Sequence, residues 1–82
     1  MKVPRDLSSN QLIQLLSRFG YENTRQTGSH IRLTTQENGQ HHVTIPAHDP
    51  LKIETLNSIL RSVATHLSIT KDELLEKIFD DN

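Results

Sequence analysis

The 82-residue sequence contains no cysteine and no tryptophan, and only 33% of its residues are hydrophobic. Without cysteine, the chain cannot form a disulfide framework or a thiolate metal site. With so few apolar residues and no tryptophan, we expect one thin core in a single small domain. That domain is expected to cover residues 1–82, with its core at about 8–67 and a last helix at about 70–79.

Long hydrophobic runs are also missing. No stretch is apolar enough to cross a membrane. The first residues, MKVPRDLSSNQ, are charged and then polar, whereas a signal peptide would have an apolar run there. We therefore expect a cytoplasmic protein without membrane contact.

The sequence has no strong excess of charge, since its formal net charge is −1. The charges are unevenly distributed, however. Residues 1–69 carry seven Lys or Arg against five Asp or Glu, whereas residues 70–82 carry two against five. A mildly basic body thus precedes an acidic tail, and the overall charge alone does not indicate a nucleic-acid partner.

Three helices are predicted from capping signals and apolar spacing. Ser8 and Gln11 form a capping box before a helix from about Ser9 to Phe19, and Gly20 is suited to end it. The second helix is indicated by apolar residues at alternating spacings of three and four: Ile53, Leu56, Leu60, Val63 and Leu67. A second capping box, TKDE at residues 70–73, begins the third helix, whose apolar stripe we expect to pack in the core.

Three strands are predicted between the first two helices: Tyr21–Thr27, His30–Thr35 and His41–Pro46. Gly28 and Ser29 are suited to a two-residue hairpin turn between the first two strands. The resulting fold class is α+β, with the α-β-β-β-α order of double-stranded-RNA-binding domains and an extra C-terminal helix. Its antiparallel sheet would be covered on one face by helices.

The register of the second hairpin follows from its apolar residues. A two-residue Asn38-Gly39 turn would pair Leu33 with a threonine, whereas a three-residue loop that includes Glu37 pairs Leu33 with Val43. We favour the longer loop because it buries the apolar side chains of both strands together. The other face of the sheet then presents His30, Arg32 and Thr34 on one strand, paired with Pro46, Thr44 and His42 on the next.

His30 is the first candidate for chemistry, although a histidine on a strand surface commonly has no chemical role. Here it follows a glycine turn and has Arg25 and Arg32 nearby in sequence. Guanidinium groups bind phosphate in a bidentate manner, and imidazole exchanges protons near neutral pH. Proton exchange of this kind is needed to cleave RNA, because the 2′-OH must lose a proton and the leaving oxygen must gain one.

The other histidines give weaker indications. His41 and His42 are adjacent on a strand and would point to opposite faces, so they make a poor chelate. His30 and His42 could share a face, but no third ligand is evident, and we expect no metal site and no cofactor. His48 in the segment IPAHDP is equally compatible with a polar loop residue and with a ligand contact.

Three segments in order resemble the HicA-type mRNA interferase toxin family. RQTGSH at 25–30 corresponds to the family's Arg-Gln-x-Gly-Ser-His, IPAH at 45–48 to its Val-Pro-x-His, and LKIETL at 51–56 to its Lys-x-Gly-Thr-Leu. In the last segment Glu54 stands where the family usually has glycine. The resemblance covers about residues 8–67 and extends to the tail of longer members.

This resemblance implies a double-stranded-RNA-binding-like fold and a metal-independent ribonuclease that cleaves mRNA with His30 as its catalytic group. It also implies a HicB-type antitoxin that covers the active face and represses the shared operon. Gly28 and Ser29 would shape the turn at the site. From their charge and position, Arg25, Arg32 and Lys52 become candidates for phosphate contact. His48, which matches the histidine of the family's Val-Pro-x-His, is a candidate for RNA contact.

Overall fold

The elements follow one another in the predicted order. The computed structural model describes residues 3–79, so Asp80 and Asp81 of the acidic tail lie outside the described residues. The elements are α1 (Ser9–Leu16), β1 (Glu22–Thr27), β2 (His30–Thr35), β3 (His41–Pro46), α2 (Ile53–Leu67) and α3 (Lys71–Phe79). The predicted α+β class is therefore confirmed.

Helix α1 begins as predicted and ends earlier. The Gln11 amide donates to the Ser8 hydroxyl over 3.1 Å, and the Ser8 amide donates to the Gln11 side chain over 2.9 Å, which completes the capping box. The α-helix was predicted to reach Phe19, but it ends at Leu16 and continues as a 3₁₀ turn, Ser17–Phe19. The Ser17 hydroxyl donates to a carbonyl three residues earlier, over 2.6 Å, and such bonds compete with the regular helical pattern.

The sheet has the order β1-β2-β3, with both pairs antiparallel. Leu33 pairs with Val43, as we predicted from burial. The last pair is Thr35 with His41, so the loop spans residues 36–40 rather than the predicted three residues, and both Asn38 and Gly39 have positive φ, of 59° and 94°. Strand β1 starts at Glu22 rather than Tyr21, whose side chain is buried in the core at 1% exposure. All six residues of β1 are exposed, which explains its poor apolar alternation.

The core lies between the inner face of the sheet and the helices. Its strand contribution is the set predicted from the register, namely Ile31, Leu33, Val43 and Ile45. From α2 and α3 it takes six fully buried side chains, Leu56, Leu60, Val63, Leu74, Leu75 and Ile78, so the stripe on α3 is core packing as predicted. Burying one such side chain contributes about 1.5–3 kcal/mol, so this layer holds the opposite sheet face in place.

Within residues 3–79, no helix has both the length and the apolar character needed to cross a membrane.

Candidate functional site

The turn between β1 and β2 has the geometry that its glycine was expected to supply. Thr27 pairs with His30, which leaves Gly28 and Ser29 as the two turn residues. Gly28 has φ of 56°, as the first position of a type II′ turn requires. A Cβ atom added to Gly28 would meet nothing within 4 Å, so the space above the turn is open. Glycine is needed here for its backbone conformation, and a ligand can approach the turn closely.

The uncovered side of the sheet carries an imidazole beside two guanidinium groups. Arg25 on β1 is the cross-strand partner of Arg32 on β2, and His30 is exposed two residues before Arg32. Directly paired residues of antiparallel strands point to the same side of the sheet. We call this side the open face and define it by Arg25, Thr27, His30, Arg32, Thr34, His42 and Thr44, with one acidic residue, Glu22, opposite Thr34 at the end away from the turn. Two like charges that lie directly opposite repel each other, which favours an anion between them.

A chain of hydroxyl hydrogen bonds supports the end of the open face away from the turn. The Thr34 hydroxyl lies 2.8 Å from the Thr24 hydroxyl and 2.7 Å from Nδ1 of His42. Thr24 is an extra residue in β1, because the register shifts between Asn23 and Arg25. This bulge brings the Thr24 hydroxyl to the side where Thr34 lies. The three groups thus fix the surface next to the arginine pair.

The loop at 47–52 is fastened to the glycine turn and to α1. The Ala47 amide donates to the Ser29 carbonyl over 2.6 Å, one step beyond the pairing of His30 with Pro46. On the other side, one carboxylate oxygen of Asp49 accepts from the Ser9 amide at 2.8 Å and from the Ser9 hydroxyl at 3.1 Å. The first contact holds segment 46–52 against segment 28–30, and the Asp49 contacts hold it against the start of α1.

The loop holds His48 and Lys52 at a small pocket. This pocket is lined by Pro46, His48, Lys52 and Thr55. Pro46 is the cross-strand neighbour of His30, so the pocket adjoins the open face. Nδ1 of His48 lies 2.9 Å from the Pro50 carbonyl oxygen. A carbonyl oxygen only accepts hydrogen bonds, so Nδ1 carries the proton. The pocket combines an imidazole, a lysine and a threonine hydroxyl at the start of α2, and this set of groups can bind a phosphate.

All seven residues singled out from the sequence therefore lie in one region. Gly28 and Ser29 form the turn, Arg25, His30 and Arg32 lie on the open face, and His48 and Lys52 line the adjoining pocket. Within residues 3–79, no cluster of three or more His, Cys, Asp or Glu side chains could hold a metal ion. The chemistry available at the region is proton transfer by imidazole and charge stabilisation by arginine and lysine.

A second polar cluster, which sequence reasoning missed, lies at the opposite end of β3. Nδ1 of His41 is 2.7 Å from the Tyr21 hydroxyl, and its Nε2 is 3.2 Å from the Ser62 hydroxyl. The His41 ring stacks on His66 with 4.4 Å between ring centroids. Nε2 of His66 donates to the carbonyls of residues 37 and 39, each over 2.9 Å. This cluster fastens the β2–β3 loop to α2.

Burial and neighbouring charge alter the acidity of two groups in this cluster. Burial, with a smaller contribution from Glu37, raises the pKa of Tyr21 to about 12. Burial, followed by the proximity of His66 and His42, lowers the pKa of His41. Tyr21 and His41 are therefore both held neutral near pH 7. No local sequence signal indicates this cluster, because its members come from four separate segments.

Comparison with known proteins identifies one family. Residues 9–64, more than half of the chain, match the family model described as HicA toxin of bacterial toxin-antitoxin. This range includes the glycine turn, the open face, the loop at 47–52 and most of α2. No curated protein and no solved structure gives a significant match.

Proposed function

Because the chain belongs to the HicA toxin family of bacterial toxin–antitoxin systems, we propose that it is an endoribonuclease toxin that cleaves mRNA without a metal ion. The observation that carries this proposal is the exposed His30, which lies next to a cross-strand arginine pair and an open glycine turn. This arrangement supports a site that holds a phosphodiester group and moves a proton at it.

RNA would bind along the open face through its phosphates. Arg25 and Arg32 offer two guanidinium groups for one phosphate, and Lys52 offers a point charge for a neighbouring phosphate. Neutralising two phosphates of a single strand predicts that log K falls with log salt concentration with a slope of about −1.4. The open space above Gly28 leaves room for the backbone of the strand.

His30 is the proposed catalytic group. The cleavage forms a bond between the 2′-oxygen and phosphorus and breaks the bond to the 5′-oxygen of the next nucleotide. An imidazole at the scissile phosphate takes or gives one of the two protons involved, and such a group typically contributes about 10²–10⁴ in rate. The paired arginines stabilise the extra negative charge on the phosphoryl oxygens in the transition state.

Membership of the family also implies an antitoxin partner. We propose that a HicB-type antitoxin binds over the open face and so excludes RNA from His30. The open face is rich in cationic and hydroxyl groups, so the matching antitoxin surface would be acidic and polar. An Arg32→Glu substitution would then weaken both antitoxin binding and RNA binding, whereas the distant α2 substitution Arg61→Gln would leave both unchanged.

The test of the proposed activity compares three proteins expressed without antitoxin: the wild type, His30→Ala and Arg61→Gln. Arg61 is exposed on α2 and borders a groove with His41 and Ser62, away from the open face. The wild type and Arg61→Gln should arrest growth and fragment mRNA, whereas His30→Ala should do neither. Equal growth and intact RNA in all three strains would refute the proposal.

A non-catalytic RNA-binding module is the second candidate, and the arginine pair is the observation that favours it. Arg25 and Arg32 provide RNA affinity that does not depend on His30. If purified wild-type protein binds RNA without cutting it, and His30→Ala binds with equal affinity, this candidate replaces the ribonuclease.

A further inference from the structure

Cleavage of a phosphodiester needs two proton transfers, and one imidazole cannot be both base and acid in a single step. The site therefore requires a second group, or water, opposite His30. Histidine is the side chain best suited to this task near neutral pH. The hydrogen bonds of the chain's histidines show which of them has a ring nitrogen available in a defined protonation state.

Three of the five histidines are unsuitable. His41 uses both ring nitrogens, one on Tyr21 and one on Ser62, and lies at the other end of β3. His66 donates its Nε2 proton to two backbone carbonyls. His42 bonds through Nδ1 to the Thr34 hydroxyl, which can donate or accept, so its tautomer is not fixed.

His48 differs from His41 and His42 because its partner is a carbonyl oxygen. It differs from His66, which stacks on His41 at the other end of β3, because it follows the Pro46 end, where His30 pairs. The Pro50 carbonyl accepts from Nδ1 over 2.9 Å and thereby fixes the neutral ring with its lone pair on Nε2. The same carbonyl stabilises the positive ring once Nε2 has taken a proton. A ring oriented in this way is prepared to act as a base at Nε2.

The backbone brings His48 near His30. The pairing of His30 with Pro46 puts their Cα atoms about 5 Å apart. His48 lies two residues beyond Pro46, which adds at most about 7.6 Å. A hydrogen bond of 2.9 Å from the His48 amide to the Pro46 carbonyl turns the chain tightly between them. The Cα atoms of His30 and His48 are therefore at most about 13 Å apart, a separation that two imidazoles with a phosphodiester group between them can span.

We infer that His48 is the general base of the ribonuclease reaction and His30 its general acid, an assignment that rests on the proposed function. Nε2 of His48 takes the 2′-OH proton while the 2′-oxygen bonds to phosphorus. His30, in its protonated form, gives its proton to the departing 5′-oxygen as the P–O5′ bond breaks. The products are a 2′,3′-cyclic phosphate and a 5′-hydroxyl, and proton exchange with water restores both rings.

Two substrates distinguish base from acid. One is an oligoribonucleotide, and the other is a ribonucleoside 3′-aryl phosphate whose nitrophenolate leaving group needs no proton. The variants are His48→Asn and His30→Asn, with Arg61→Gln as the control. The amide side chain introduced by His48→Asn retains an N–H donor for the Pro50 carbonyl and so keeps the loop contact, but it cannot accept a proton. As controls, thermal unfolding tests whether each variant folds, and binding of a 2′-deoxy oligonucleotide tests whether it still binds nucleic acid.

His48→Asn is expected to lower kcat about 100-fold or more on both substrates. His30→Asn should cause a similar loss on RNA and a much smaller loss on the aryl phosphate. Three results for His48→Asn would each overturn the base assignment while the proposed function stands. They are unchanged RNA cleavage, an effect on KM alone, and a loss of kcat on RNA that disappears on the aryl phosphate. A wild type whose cleavage does not depend on His30 would instead refute the proposed function itself, and the inference with it.

Discussion

Asp49 makes the side-chain contact that joins the loop at 47–52 to α1, and its removal tests how strongly this contact stabilises the site. Its carboxylate accepts from the amide and the hydroxyl of Ser9, which begins α1 and is 4% exposed. An Asp49→Ala substitution leaves both donors without this partner and removes a negative charge from a helix N-terminus, where it is favourable. Loss of a helix cap costs about 0.5–2 kcal/mol, and loss of hydrogen bonds to a charged group about 1.5–3 kcal/mol.

We expect Asp49→Ala to lower the free energy of unfolding by about 2 kcal/mol. In a domain of this size, 1 kcal/mol shifts Tm by about 4–8 °C, so Tm should fall by about 8–16 °C. Urea unfolding and thermal melts followed by circular dichroism measure the two quantities. Asp49→Asn keeps an acceptor oxygen without the charge and should lose about half as much.

A double-mutant cycle with Ser9→Ala isolates the hydroxyl bond of this contact. Ser9→Ala removes the 3.1 Å hydroxyl bond and keeps the 2.8 Å amide bond, so it should cost less than Asp49→Ala. Because the two residues touch, their effects should be non-additive by about 0.5 kcal/mol or more. If Asp49→Ala changes stability by less than about 0.5 kcal/mol, the contact does not hold the loop to α1. Strict additivity of the two substitutions would show that the hydroxyl bond contributes nothing.

Three further predictions concern the turn and the second cluster. Gly28→Ala should lower stability by about 1–2 kcal/mol in urea titration, because φ is 56° there and no steric clash contributes. Stability should fall as pH drops below about 6.5, because the lowered pKa of His41 makes the unfolded state bind more protons. Melts across about pH 5–8 should show this slope weakened in His41→Gln. Tyr21→Phe should lower the free energy of unfolding by about 1 kcal/mol, because the hydrogen bond to His41 is lost. The wild type should also lose stability between pH 10 and about 12, because Tyr21 ionises at lower pH in the unfolded chain than in the folded one, and Tyr21→Phe should abolish that loss.

The elements that the sequence predicted well depend on short-range spacing. Both capping boxes formed with the expected partners, including Glu73, whose amide donates to the Thr70 hydroxyl over 3.0 Å. The β2–β3 register was predictable because a shift of one residue would have put apolar side chains on the open face. The end of α1 was less predictable, since the Ser17 hydroxyl competes with the backbone for the last helical carbonyls.

The parts of the site that the sequence did not predict depend on contacts between distant segments. Asp49 and Ser9 are 40 residues apart in the chain, and no local spacing relates them. The same holds for His41 and His66, which stack on each other only after β3 and α2 have packed. The family resemblance predicted His30 as the catalytic group and His48 as an RNA contact. The position of the proton on His48, in contrast, follows from a single carbonyl contact that exists only in the folded chain.

The two halves of the candidate site are therefore joined by few contacts, and this has a consequence for its stability. The turn that precedes His30 and the loop that holds His48 meet through the 2.6 Å bond between Ala47 and the Ser29 carbonyl, and Asp49 fastens the far side of the loop. Exposed segments with few buried contacts open at a lower free energy than the core does. Opening the loop would separate the two imidazoles while the sheet and its core stay folded. We therefore expect the geometry needed for the proposed paired proton transfer to be less stable than the fold that supports it. Asp49 contributes to that difference together with Leu51, which is buried and whose amide donates to the Leu7 carbonyl.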